Sequence, residues 1–250
     1  MEYVEVDDTR IATFSIFQSK QGVRHGVSTK VGALNMRNAQ GSETTSSQSN
    51  RRRFLESLGL DYDAALWGRQ VHGCEIAIIT SRDHHRPPLQ DTDGIVTNIP
   101  GLPIMVAAAD CVPILLYDPY AEVVGAVHAG WRGTVQCIAQ KAVQSMVKSF
   151  GSVPENILAG IGPSIGPCCY EVGEAVLEPL RETFPGWWPQ LVVEKGGSRH
   201  MDLWSANRLQ LLGCGVAEEN IEEAQVCTSC SRRFQWPICG CHIPTLRYAI

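Results

Sequence analysis

Reactive side chains stand at two junctions where an apolar run turns. Ala108-Ala109-Asp110-Cys111-Val112-Pro113 closes one run, and Val127-His128-Ala129-Gly130-Trp131-Arg132-Gly133-Thr134 closes another. Together with His72, in Val71-His72-Gly73, Cys111 and His128 offer thiolate and imidazole donors that suit zinc or copper. Three protein ligands leave a fourth position open, which is the arrangement of a catalytic zinc rather than a structural one. Spacing alone does not bring the three together. Taken singly, Cys111 also reads as a small buried hydrophobe, and the histidines as hydrogen-bonded core or surface residues. Asp110, beside Cys111, is placed to orient a ligand histidine or to move a proton, or else to cap the turn before Pro113. The second junction reads as an anion cradle. Gly130 and Gly133 allow a tight turn, a helix start offers free N–H groups, and Arg132 adds a charge-assisted contact, so phosphate is a fitting guest. The plain alternative has Arg132 in a salt bridge and Trp131 packed.

The elements that must hold these residues alternate along the chain. Short runs at Gly94–Thr97, Leu102–Ala109, Pro113–Tyr117 and Val123–Val127 are apolar on both faces, as strands covered on both sides by helices are. Val135, Ile138, Ala139, Ala142, Met146, Val147 and Phe150 repeat with the helical period and predict a helix from Thr134 to Phe150. Arg51–Leu58, Glu171–Phe184 and Asp202–Leu212 read as further helices. Ile11–Phe17, Gly22–Thr29, Ile157–Ile161, Leu191–Glu194 and Ala224–Cys227 read as strands, and Ala64–Ala77 as a strand pair. The stretch from Asn38 to Asn50, small and polar throughout, reads as a mobile surface loop. The expected fold is α/β: one layered α/β/α domain over residues 1–250 with a mixed β-sheet.

Composition narrows the function classes. With 21 basic against 26 acidic side chains, the net charge of −5 gives no field that would draw nucleic acid or anionic lipid. No apolar run approaches the length of a membrane span, and MEYVEVDDTR carries acids where a secretion signal needs bases, so a cytoplasmic location is expected. The sequence carries no feature that sets an oligomeric state. Ten cysteines in a reducing compartment point to metal, catalysis or core packing rather than to disulfides.

Ordered blocks along the chain resemble one known family. They are Gln70-Val71-His72-Gly73, Asp93-Gly94-Ile95-Val96-Thr97, Ala109-Asp110-Cys111-Val112-Pro113, Val127-His128-Ala129-Gly130-Trp131-Arg132-Gly133 and the run from Gly162 to Gly173. Asp202-Leu203, Asn207, Gln210, Gly215-Val216 and Cys227-Thr228 continue the match. His25-Gly26-Val27-Ser28-Thr29, Leu34-Asn35 and Asn50-Arg51 look like its opening blocks. The family is the one variously called laccase-like multicopper polyphenol oxidoreductase, peptidoglycan-editing factor and purine nucleoside phosphorylase. The resemblance implies an α/β/α fold and a zinc site on His72, Cys111 and His128. It also implies phosphorolysis of adenosine, inosine, guanosine and methylthioadenosine, with deamination of adenosine. Purine nucleosides and phosphate would then be its small-molecule partners. Arg132, Arg51 and Asn35 are the implied substrate- or phosphate-binding residues, Arg51 having a solvated helix charge as its plain alternative, and Asp110 and Cys111 are the implied chemical groups. Copper chemistry fits the residues less well, since seven histidines and no His-x-His pair are too few for a multicopper centre. Two further alternatives are a cysteine hydrolase with Cys111 as nucleophile and His128 as base, and a non-catalytic metal-stapled partner protein.

The tail departs most from that family. Residues 227–250 are rich in cysteine, and Cys227-x-x-Cys230 followed by Cys239-x-Cys241 suggests a second, structural zinc. The competing expectation keeps Cys227 and Cys230 in a core strand and its exit. Cys168 and Cys169, being adjacent, are expected to pack in a turn rather than face one metal.

Overall fold

The computed structural model describes residues 1–6, 9–18, 20, 22–29, 45–82, 87–231 and 246–249. In chain order the elements are β1 (Glu2–Val6), β2 (Thr9–Thr13), α1 (Ser15–Gln18), β3 (Gly26–Ser28), α2 (Thr45–Ser57), β4 (Leu66–Trp67), β5 (Ile76–Ile79), β6 (Gly94–Thr97), β7 (Ile104–Ala108), β8 (Val112–Asp118), β9 (Val123–Ala129) and α3 (Trp131–Val135). Then follow α4 (Ile138–Phe150), β10 (Leu158–Ile161), α5 (Glu174–Thr183), α6 (Trp188–Leu191), β11 (Val192–Lys195), β12 (Ser198–Met201), α7 (Leu203–Gly213), β13 (Ile221–Glu223) and β14 (Leu246–Ala249).

The α/β layering expected from the sequence holds, and its central layer is double. One mixed sheet runs β1-β2-β3-β14-β7-β4 and a second runs β13-β10-β8-β9-β6-β5. They share a core in which Phe14, Val27, Leu66, Ile104 and Val106 of the first side meet Ile79, Ile95, Leu115, Ala126 and Leu158 of the second. The far face of the second sheet, through Val112, Ile114, Leu116 and Val127, is covered by Ile138, Ala142 and Met146 of α4 and by Leu203 and Leu211 of α7. The far face of the first is covered by Phe54 and Leu55 of α2. All seven residues of β8 are therefore buried, which is why that run is apolar without alternation.

Several boundaries differ from the periodicity. The helix expected over Thr134–Phe150 starts at Trp131 and is broken, because Cys137 takes φ 60° between α3 and α4. The polar run expected as a loop over 38–50 is helical from Thr45: its small hydroxyl residues open α2, and Phe54 and Leu55 anchor it by packing further on. Residues 38–44 lie outside the described residues. Leu66–Trp67 and Ile76–Ile79 are not a pair, since β4 runs beside β7 in one sheet and β5 beside β6 in the other. Hydrophobicity marks both as strands but says nothing of which edge each joins.

His25 ties β3 to the start of α1. Its Nε2 accepts the Phe14 N–H at 2.8 Å, with Phe17 edge-on at 4.8 Å between ring centroids. Burial drives its pKa down to about 4, only partly opposed by the charge of Glu222. The folded protein thus holds a neutral imidazole that the unfolded chain protonates below about pH 6.5. Stability from this group is full above that pH and is lost as pH falls toward 4. Denaturant unfolding at pH 7 and pH 5 should show a loss of roughly 2 kcal/mol from His25. His25→Gln keeps an acceptor without the titration and should flatten that part of the curve. An unchanged slope would refute the assignment.

Candidate metal centre

The two central donors come from one hairpin. β8 and β9 pair antiparallel with Pro113 opposite His128 and Val112 opposite Ala129. Val112, Ile114 and Leu116, like Val123, Val127 and Ala129, face the helices. By the two-residue alternation of strands, Cys111 and His128 face the first sheet instead, as diagonal neighbours at the same end of the hairpin. His72 arrives from the loop before β5 and meets His128 edge-on, 4.9 Å between ring centroids. The donor atoms of His72, Cys111 and His128 all lie within 4.8 Å of one another. His128 is buried, Cys111 half-buried and His72 exposed, so the cluster opens to solvent on the His72 side. The sequence-predicted ligand set is brought together.

A residue that sequence reasoning quoted but did not assign holds this arrangement. Asp93, wholly buried at the entrance of β6, bonds His128 Nδ1 at 2.8 Å. That fixes the ring and leaves Nε2 as the nitrogen available for a ligand. The same carboxylate accepts three successive amides, Val71 N–H at 3.1 Å, His72 N–H at 3.0 Å and Gly73 N–H at 2.9 Å. His72 sits at φ 62°, a left-handed conformation uncommon outside glycine, and those bonds hold it there. The available signal was an acid opening an otherwise apolar strand, a position that requires partners. Gln70 ties the same loop to β7, donating from Nε2 to Ala107 O at 2.6 Å and accepting the Ala107 N–H at 2.7 Å.

The charges follow from this packing. Burial pushes the Cys111 thiol up, but hydrogen bonds and charge from His128 and His72 outweigh it and bring it down to about 6. Burial opposes a charge on His128, yet Asp93 and Cys111 raise it to about 9. Asp93 is held low by His128 and the amides despite its burial. A pre-formed thiolate between two imidazoles, with a carboxylate behind one of them, is a donor set that fits a zinc ion. Space is also reserved: a Cβ added at Gly130 would lie 2.9 Å from Cys111 Sγ, and one at Gly133 2.7 Å from Gly73 O.

Around the cluster, the other expected residues fall into place unevenly. Asp110 has its Oδ1 held by the Thr228 hydroxyl at 2.5 Å and its backbone oxygen by the Ile165 N–H at 2.9 Å. Burial raises its pKa, against the Thr228 bond. Arg132 is exposed, with its Cζ 4.4 Å from the ring centroid of Trp131. Burial raises the Tyr170 hydroxyl to about 12, with Cys111 and Asp110 adding to the rise and Arg132 opposing it, so all three lie within range of one phenol. Asn207 donates to Thr134 Oγ1 at 3.1 Å and Gln210 to Thr134 O at 2.9 Å, which pins α3 behind the site. Arg51 corrects an expectation: it is 6% exposed and stacks 5.0 Å from Trp67, so the solvated-charge alternative does not hold. Asn35 lies outside the described residues. Tyr170 and Thr228 were missed as site neighbours because each acts through a contact more than fifty residues away in sequence.

Only half of the second expected metal site falls among the described residues. Cys227 and Cys230 do cluster, but with Cys168 and Cys169, the pair expected merely to pack in a turn. Cys239 and Cys241 lie outside the described residues.

Residues 16–235 match the family described as multi-copper polyphenol oxidoreductase laccase. The chain belongs to that family. Its relatives in this laccase-like family include purine nucleoside phosphorylase YlmD of Geobacillus stearothermophilus, 38% identical over 216 residues, covering 83% of this chain and 79% of that protein. Adenosine deaminase RL5, from an unknown prokaryotic organism, is 39% identical over 180 residues, 69% of this chain and 68% of its own. The crystal structure of YlmD from Geobacillus stearothermophilus superposes with a TM-score of 0.85 at 32% identity, covering 98% of this chain and 97% of that one.

Replacing Asp93 by Asn leaves one acceptor where four donors converge. Asp93→Asn should weaken the binding of added zinc by about 10- to 100-fold, read by competition with a chromophoric chelator. Gly130→Ala should do the same by crowding Cys111. Unchanged affinity in both variants would refute this account of the site.

Proposed function

We propose that the chain is a zinc-dependent purine nucleoside phosphorylase with adenosine deaminase activity. The substrates are adenosine, inosine, guanosine and methylthioadenosine, which with phosphate yield the free base and the sugar 1-phosphate. The observation that carries this reading is the open cluster of His72, Cys111 and His128, with Tyr170 in electrostatic range of Cys111, Asp110 and Arg132. Relatives named purine nucleoside phosphorylase and adenosine deaminase support it.

Zinc held by His72, Cys111 and His128 would supply Lewis acidity and acidify water near neutral pH. The remaining work falls to this chain's own groups. Asp93 keeps His128 in one orientation and one tautomer by bonding its Nδ1. Arg132, exposed in the first turn of α3, offers a guanidinium to phosphate, with the stack on Trp131 limiting its freedom. Arg51, buried against Trp67, is the second cation assigned to substrate, and Asn35 is assigned with it. Asp110, with one oxygen anchored by Thr228, keeps its other oxygen for proton transfer to the departing base in phosphorolysis or to the leaving ammonia in deamination. Tyr170 stays protonated at neutral pH and can donate a hydrogen bond beside Asp110.

The family description also names polyphenol oxidation, with copper. The donor set favours the nucleoside reading. Among the described residues His25 accepts the Phe14 N–H and His200 lies in β12, away from the cluster, which holds one thiolate and two imidazoles. A cytoplasmic location accords with the free cysteines, and no described helix is long and apolar enough to cross a membrane.

The test is direct. Zinc-loaded protein with inosine and phosphate should release hypoxanthine and ribose 1-phosphate, and with adenosine it should release adenine or inosine. Neither product from zinc-loaded protein would overturn the proposal, and phenol oxidation that tracks copper content would replace it. Asp110→Asn should retain zinc while kcat falls by about 100- to 10,000-fold, the range expected for a positioned proton-transfer group.

A further inference from the structure

Four cysteines outside the proposed active centre converge from two separate loops. Cys168 and Cys169 lie in the turn after β10, and Cys227 and Cys230 follow β13. Their four Sγ atoms all lie within 4.8 Å of one another, and Cys168 and Cys230 are 3.6 Å apart. Tetrahedral zinc–thiolate bonds of about 2.3 Å put neighbouring sulfurs about 3.7 Å apart, whereas a disulfide needs about 2.05 Å. The sulfur spacing is that of a metal edge.

The backbone is arranged for a thiolate at Cys227. Cys227 Sγ accepts the Gly166 N–H at 3.3 Å and the amides of Ser229 and Cys230, so its own Cys-x-x-Cys turn folds back on it. In the opposite loop the N–H groups of Cys169 and Tyr170 both reach Gly166 O, at 2.9 and 3.0 Å, a turn tight enough to bring adjacent cysteines to one centre. Lys195 Nζ bonds Cys168 O at 3.1 Å and sets a positive charge beside the sulfurs. Ser164 pairs with Cys227 in a parallel bridge, and Thr228 N–H bonds Ser164 O at 2.9 Å, which holds the two loops in register. Amide donors to thiolate sulfur and a fixed outer shell are what orient ligands at structural metal sites.

We propose that Cys168, Cys169, Cys227 and Cys230 bind a structural zinc ion with all four positions filled by protein sulfur. Binding sends the thiol protons to solvent and changes no oxidation state. The ion clamps the two loops whose next residues, Tyr170 and Thr228, stand against Asp110. The site is independent of which reaction the His72 cluster performs.

Metal analysis of the full-length protein should find two zinc ions per chain. His72→Ala should lose one and keep the other. X-ray absorption on that variant should show only sulfur neighbours, at about 2.3 Å. The double variant Cys168→Ser with Cys230→Ser should lose the other ion and unfold at a lower temperature. If that variant does not fold, X-ray absorption on the unmodified protein still decides, since two such sites give a sulfur-rich average shell and one gives a nitrogen-rich shell. A single zinc that vanishes in His72→Ala overturns the proposal. So does a disulfide between any of these four residues, seen by mass spectrometry after alkylation without reductant.

Discussion

A single buried carboxylate governs the centre of this molecule. Asp93 sits where β6 begins, with no contact to water, and its two oxygens receive four donors from two directions. Three donors are consecutive amides of the loop that carries His72, and the fourth is the ring of His128 on the neighbouring strand. A buried negative charge is tolerable only with such saturation. The saturation in turn dictates where both imidazoles point. Cys111 needs no comparable device, because the strand alternation of β8 and β9 already aims it at the same face. The left-handed backbone at His72 and the missing side chains at Gly130 and Gly133 are further concessions to the same arrangement. The surrounding core, two sheets packed face to face with helices outside, is what keeps water away from that carboxylate.

Much of this is legible in the residues themselves. Blocks around His72, Cys111 and His128 identify the donors, and runs that are apolar on both faces identify strands covered on both sides. Pairings are less legible, since β4 and β5 look alike as short apolar runs yet enter different sheets. The break at Cys137 is also silent in the periodicity, because Val135 and Ile138 keep the helical spacing across it. Asp93 was visible as a letter in a block, but not as the hub, because its partners are backbone amides that no side-chain pattern records. Arg51 shows the converse: a charge in a polar helix, buried because Trp67 from a distant strand covers it.

The cysteines divide along the same line between local and distant information. A Cys-x-x-Cys pair announces itself by spacing, so Cys227 and Cys230 stand out at once. Among the described residues, the sulfurs beside them are those of the turn at Cys168 and Cys169, about sixty residues earlier, brought there by the bridge between Ser164 and Cys227. Adjacent cysteines are poor metal ligands on a straight backbone. They become good ones only where the chain curls as it does around Gly166.

The cluster of His72, Cys111 and His128 lies within one continuous stretch of chain. β5, β6, β9 and β8 are neighbours in the second sheet and lie between residues 76 and 129, so the strands that frame the cluster are local in sequence as well as in space. The wall around Asp110 is not: Ile165, Tyr170 and Thr228 reach it from much later in the chain. A growing polypeptide can therefore complete the strands that frame this cluster before the residues around Asp110 have been synthesised. Order of synthesis then separates the frame of the cluster from the wall around Asp110, with contacts of long sequence separation forming last.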